Sequence, residues 1–214
     1  MTIRAKLFAA IALTVLGPLV TVGVALSAFG TLGDRFDDVE RAAGAQQVAL
    51  ELKFAVTDMN GWQTAYGYDA GGSHRQRFEA SAEETERMLA RARQVLTEAG
   101  YQAALFQLEG TYRRFMDLDA EAWAALEAGD ADETKRILLG PELDLFARMA
   151  RIADDLAGAA EVAALRADSG FEDARDTAKR ELVAVAIGAA IVIVLLLITV
   201  QDVVRLALER RDPA

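Results

Sequence analysis

The chain has 214 residues, 53% of them hydrophobic, a formal net charge of −10 and no cysteine. Its length implies one domain, or one domain plus membrane segments. Lack of cysteine excludes a disulfide framework, a thiolate zinc site and a cysteine nucleophile. Net acidity argues against nucleic-acid binding, which needs a basic face. Three prolines among abundant Ala, Leu, Glu and Arg favour helices throughout.

After a basic MTIRAK start, the chain runs apolar from Leu7 to about Phe29, and the first transmembrane helix is placed over 7–32. The 23 residues from Leu7 to Phe29 reach roughly 34 Å as a helix, enough to span a bilayer with some tilt. Gly17-Pro18 in its middle is tolerated in a membrane helix, often with a kink. The rival reading, a cleaved signal peptide with Ala25-Leu26-Ser27 as its processing box, would have an unusually long apolar region.

The first helix beyond the span is predicted from about Asp34 to Tyr68. Phe36, Val39, Ala43, Gln47, Leu50, Phe54, Thr57, Gly61, Thr64 and Tyr68 recur at steps of 3 and 4, a narrow coiled-coil-like stripe made polar by Gln47, Thr57 and Thr64. Asp69-Ala70-Gly71-Gly72-Ser73 reads as a turn, with the one histidine, His74, expected to be solvated there. The second helix is predicted over 75–98, with Phe78, Ala82, Thr85, Leu89, Ala92 and Leu96 inward. The third, over 101–128, carries Tyr101, Leu105, Leu108, Tyr112, Phe115, Asp119, Ala122 and Leu126 in unbroken 4-3 alternation, so a carboxylate falls on its seam. Arg113 and Arg114 fall off that seam, on a solvated face.

Gly129 closes the third helix, and Asp130 with Glu133 resembles a capping box for the fourth. That helix begins near Ala131, breaks at Gly140-Pro141, and resumes to Glu181, with Leu145, Met149, Ile152, Leu156, Ala159 and Ala163 on its buried side. It continues into Leu182–Val200, a stretch with no charge, no proline and a single glycine. That stretch reaches roughly 28 Å, close to the hydrocarbon thickness of a bilayer. Residues 201–214 are a short tail.

Arg4 and Lys6 precede the first span, and Arg205, Arg210 and Arg211 follow the second. The positive-inside rule then puts both ends in the cytoplasm and residues 33–181 outside it, in a protein of the inner (plasma) membrane. The outside loop holds 30 Asp/Glu and 18 Lys/Arg, a net of −12, which leaves +2 for the rest of the chain. No strand-like alternation appears. The expected fold is therefore all-α, an antiparallel up-down-up-down four-helix bundle between two transmembrane helices. The helices on either side of the bundle outlast the middle two, so the stretches near Phe36–Ala43 and Phe171–Ala178 are left as a two-helix stalk. Such a stalk is better stabilised by a second copy, and a homodimer is expected.

A short basic N-terminus, a span, an outside helical bundle of about 150 residues and a second span resemble the N-terminal sensor region of a methyl-accepting chemotaxis receptor. Asp58-Met59-Asn60-Gly61-Trp62-Gln63-Thr64-Ala65-Tyr66 is similar to that family's polar-aromatic segment near the distal end of its first helix. Ala128-Gly129-Asp130 is similar to its third-to-fourth helix junction. The resemblance covers residues 1–201. It implies an extracytoplasmic sensor of a small ligand or stimulus that signals through the second transmembrane helix. Gln201–Ala214 is too short for the relay (HAMP) and signalling domains that follow in the family. The expected partner list therefore includes a separate signalling protein. The same features also fit a non-sensing membrane scaffold or adaptor, or a truncated receptor or histidine-kinase fragment.

Small-molecule sites in bundles combine aromatic walls with a few convergent polar groups. Trp62 lies near the top of the first helix, level with Asp119–Trp123 on the third and with Ile137–Leu138 on the fourth. Asp58, Trp62, Gln63, Tyr66, Asp119 and Trp123 are the candidate ligand-binding residues. No catalytic, metal-binding or cofactor-binding pattern is present in the sequence, and no enzymatic role is expected.

Overall fold

The computed structural model describes residues 3–68 and 73–209. Five helices follow in order: α1 (Ile3–Tyr68), α2 (Ser73–Val95), α3 (Ala99–Glu127), α4 (Ala131–Ile137) and α5 (Leu143–Glu209). A π-helical turn, Leu138–Glu142, joins α4 to α5, so the last two read as one interrupted helix. The protein is all-α, with no strand among the described residues; two long helices flank two shorter ones.

α1 runs unbroken through the expected boundary near Asp34. Gly30 and Gly33 each cost a helix about 1 kcal/mol, too little to stop it when no proline follows. α2 ends at Val95, short of the expected 98, and Ala99 and Gly100 open α3 instead of closing α2. The carbonyls of Arg93, in the last turn of α2, and of Leu96 just beyond it accept from the Gln102 side chain at 3.3 and 2.6 Å. At the end of α3, Gly129 takes φ +80°. Its N–H donates to Leu126 at 3.0 Å, and the Asp130 N–H to Ala125 at 2.9 Å, the Schellman arrangement that glycine permits. Asp130 then caps α4 by accepting from the Glu133 N–H at 3.0 Å. The capping box is only half made: the Asp130 N–H is already committed to Ala125, and Glu133 pairs with Arg136 instead.

The break at Gly140-Pro141 is present. Gly140 sits at φ −113°, ψ −110°, outside the helical region, and Pro141 brings no N–H to restore the ladder.

Residues 39–167 form one compact unit. Its core draws Val48, Leu52, Val56 and Met59 from α1, Phe78 and Leu89 from α2, Leu105, Leu108 and Phe115 from α3, and Met149 and Leu156 from α5. The cross-helix pairs run in opposite senses. Lys53 meets Asp154 and Gln63 meets Glu142; Glu51 meets Arg91 and Asp58 meets Ser81; Arg93 meets Glu109 and Arg75 meets Asp119. The α2 and α3 stripes are buried as their spacing predicts, apart from a half-buried Leu126.

The α1 stripe is corrected. Ala43, Gln47, Leu50, Phe54, Thr57, Gly61 and Thr64 are exposed, Phe54 to 72%. The face that is buried is Val48, Leu52, Val56, Met59, Gln63 and Tyr66. Both series keep helical spacing, but the second holds more large apolar side chains, and burial follows apolar area. On α5, Ala159 is likewise exposed, and Ala153, Ala157 and Ala160 are buried.

The described residues 3–38 and 168–209 form the second compact unit. Phe36 and Phe171 meet edge-on at 6.3 Å, and Ala28 and Ala178 are buried. α1 and α5 are each long and apolar enough to cross a membrane. The apolar window in α5 has 0% of its residues buried, so it is not packed into the core of this chain. Apolar on every side, it is half-covered along Val185, Ala189, Val192 and Leu196 and exposed elsewhere, a surface suited to lipid.

Candidate functional site

The most polar part of the core lies around Asp119, the carboxylate on the α3 seam. It is 1% exposed, and an unpaired charge there would be costly. Two elements answer it. Tyr66, from the last turn of α1 and fully buried, donates its hydroxyl to Oδ1. Arg75, from the first turn of α2, donates from Nη1 to Oδ2 at 2.7 Å and from Nε to Glu79 at 3.0 Å. Burial pushes the Asp119 carboxyl above the usual carboxylate range, and the bonds from Tyr66 and Arg75 hold it back. Burial, with the Asp119 charge behind it, pushes the Tyr66 phenol up.

The Arg75 guanidinium is also boxed by rings. Its Cζ lies 4.8 Å from the Trp123 centroid, 4.9 Å from Phe78 and 5.1 Å from Tyr66. Tyr66 meets Trp123 edge-on at 5.5 Å and Phe78 at 5.4 Å. A cation held within about 6 Å of aromatic faces gains from each ring. One cluster thus ties α1, α2 and α3 together.

A turn away, Gln63 donates to Oε1 of Glu142, which is fully buried at the end of the kink. Oε2 of Glu142 has no hydrogen-bond partner among the described residues. Burial, reinforced by the Asp119 charge and opposed by Arg75, pushes this carboxyl up to about 8.

Of the six sequence-predicted residues, Tyr66, Asp119 and Trp123 come together, and Gln63 lies beside them on Glu142. Asp58 and Trp62 lie elsewhere, lining an open groove of about 900 Å³ between α1 and α2 with Leu50, Phe54, Arg77 and Met88. Asp58 accepts from the Ser81 hydroxyl at 2.7 Å. Trp62 stacks on His74 at 6.1 Å, with the Arg77 guanidinium 4.6 Å from its ring. His74 is therefore not a solvated loop residue: it belongs to the first turn of α2 and is half-buried.

Arg75 and Glu142 were not among the expected residues, although a signal for both was present. Arg75 lies three before Phe78 and extends the α2 stripe by one step. Glu142 lies three before Leu145 and does the same for α5. Both read as ordinary charges at helix starts. No group of three or more His, Cys, Asp or Glu able to hold a metal occurs among the described residues.

No protein-family model matches the chain, and neither a curated protein nor a solved structure matches it. The class the fold defines is an all-α protein in which two long helices, apolar enough to cross a membrane, flank two shorter ones.

Proposed function

We propose that the chain is a membrane-anchored sensor of the chemoreceptor type, with residues 33–181 outside the cytoplasm as an up-down-up-down four-helix bundle. The observation that carries this reading is the Asp119 cluster. A soluble-facing helical unit has built, in its core, one ionic and aromatic junction that three helices share. Small shifts of one helix there must be answered by the other two. A ligand that favours one arrangement moves the population by its differential affinity for the two. The stimulus would be passed to the second apolar span, which belongs to α5, and from there to a separate signalling protein.

The Asp58–Trp62 groove is the proposed entry for a small ligand, since it offers an aromatic wall and charges of both signs. The test is a thermal-shift screen of the full chain in detergent against amino acids, organic acids and ions. A compound that raises Tm for the native chain but not for Trp62→Ala supports the reading. The scaffold alternative is favoured instead if no compound shifts Tm and a membrane protein co-purifies unchanged with Trp62→Ala.

The protein is also proposed to act as a homodimer. Support comes from the α1 stripe: Leu50 and Phe54 are exposed at 4-residue spacing in a series that continues through Thr57, Gly61 and Thr64. An exposed seam with coiled-coil spacing suits the same seam of a second copy, which would then form an outer wall of the groove that Leu50 and Phe54 line.

A further inference from the structure

Glu142 is a fully buried carboxyl that the sensor reading does not use. It closes the turn in which helical hydrogen bonding already fails, at Gly140 and Pro141. Its Oε1 is held by Gln63 of α1, and its Oε2 has no hydrogen-bond partner among the described residues. Leu138, four residues earlier, presses on α1 where Gly67 leaves room: a Cβ at Gly67 would lie 2.5 Å from Leu138 Cδ1. The kink is therefore seated on α1 by two contacts, one polar and one apolar.

We propose that Glu142 is a proton-binding site that latches this kink onto α1: with its proton the carboxyl stays buried on Gln63, and without it the carboxylate moves to water and the kink opens. The leaving proton breaks the Oε2–H bond and passes to solvent. A cavity of about 50 Å³ bordered by Gln63, Asn60, Thr64, Lys135 and Leu138 lies beside the kink, large enough to admit a water. The proposal deepens the sensor reading by naming the proton as a stimulus, and it rests on that reading only for its physiological meaning.

Charge around the site favours the protonated form. From α3, the Asp119 carboxylate repels an ionised Glu142; from α2, Arg75 attracts it, but that guanidinium is already committed to Asp119 and Glu79. From α1, Gln63 and Tyr66 are neutral. Lys135 of α4 faces the small cavity. An ionised Oε2 would thus be a buried charge with no hydrogen-bond partner among the described residues. The neutral form leaves one hydroxyl bond unmade, a far smaller penalty. Opening is cheapest at this turn because the backbone ladder is already interrupted there.

Burial holds the Glu142 carboxyl at about 8 in the fold, against an ordinary glutamate value of 4.5. Its stabilisation is therefore complete below the ordinary value and is lost as pH rises through about 8. In the full chain in nanodiscs, spin labels on Thr64→Cys and Leu139→Cys, both exposed beside the cavity, should move apart between about pH 6 and about pH 9. The same labels in Glu142→Gln, which keeps the neutral shape, should not move. An infrared carbonyl band of a protonated acid should be present at neutral pH and vanish over the same range. Labelling with ¹³C-glutamate should shift that band, which separates Glu142 from Asp119 even if the variant fails to fold. The proposal is overturned by a label distance that changes equally in Glu142→Gln, or by a titrating band insensitive to glutamate labelling. Neither result depends on a small ligand, so the proposal can fail while the sensor reading stands.

Discussion

Asp119 and Arg75 are worth little as a pair in water, but in this core each makes the other affordable. Truncating one leaves the other without its main partner. Asp119→Ala is expected to lose about 3 kcal/mol of stability, the lower end for breaking a buried pair, because Arg75 keeps Glu79. The double variant Asp119→Leu with Arg75→Met should lose less than Asp119→Ala alone, since it removes both charges and leaves the rings to pack. Urea unfolding of these proteins, with Asp119→Leu and Arg75→Met as the matching single variants, checks this; a double variant that loses the sum of those two single losses would mean the pair is not coupled. Tyr66→Phe should cost about 1 kcal/mol, one buried hydrogen bond. Asp119 could be found from the sequence because a carboxylate in an otherwise apolar stripe stands out. Arg75 and Glu142 could not be separated from helix-start charges, because what buries them is the packing of other helices. Spacing gives a residue's face, whereas burial also depends on what lies opposite.

At the scale of the element, α2 and α3 were legible because each has one apolar face. α1 was not, because it has two series of helical spacing, and only the partners decide which goes inside. The exposed series then becomes the prediction. Phe54→Cys, in this chain without cysteine, should give disulfide-linked dimers on mild oxidation in membranes. Linkage at Glu83→Cys equal to that at Phe54→Cys would mean random collision and remove the seam dimer. The junctions make separate predictions. Asp130→Ala removes the cap of α4 and should cost about 1 kcal/mol. Gly67→Val overpacks Leu138 and should cost about 1–3 kcal/mol, read from thermal melts.

For the whole molecule, the all-α class and the two apolar helices follow from composition and run length. The helix start expected near Asp34 is absent, and α1 continues through it, because glycine weakens a helix without ending it. Beyond the fold, the polar unit is proposed to lie outside the cytoplasm, anchored by two spans. The basic residues at both ends set that expectation. The most direct test is labelling of intact cells with a membrane-impermeant maleimide, using Glu83→Cys, exposed in the 39–167 unit, and Gln201→Cys, exposed beyond the second apolar stretch. The account predicts that Glu83→Cys is labelled in intact cells and Gln201→Cys only after the membrane is permeabilised. Labelling of Gln201→Cys in intact cells, with Glu83→Cys reached only after permeabilisation, would contradict it.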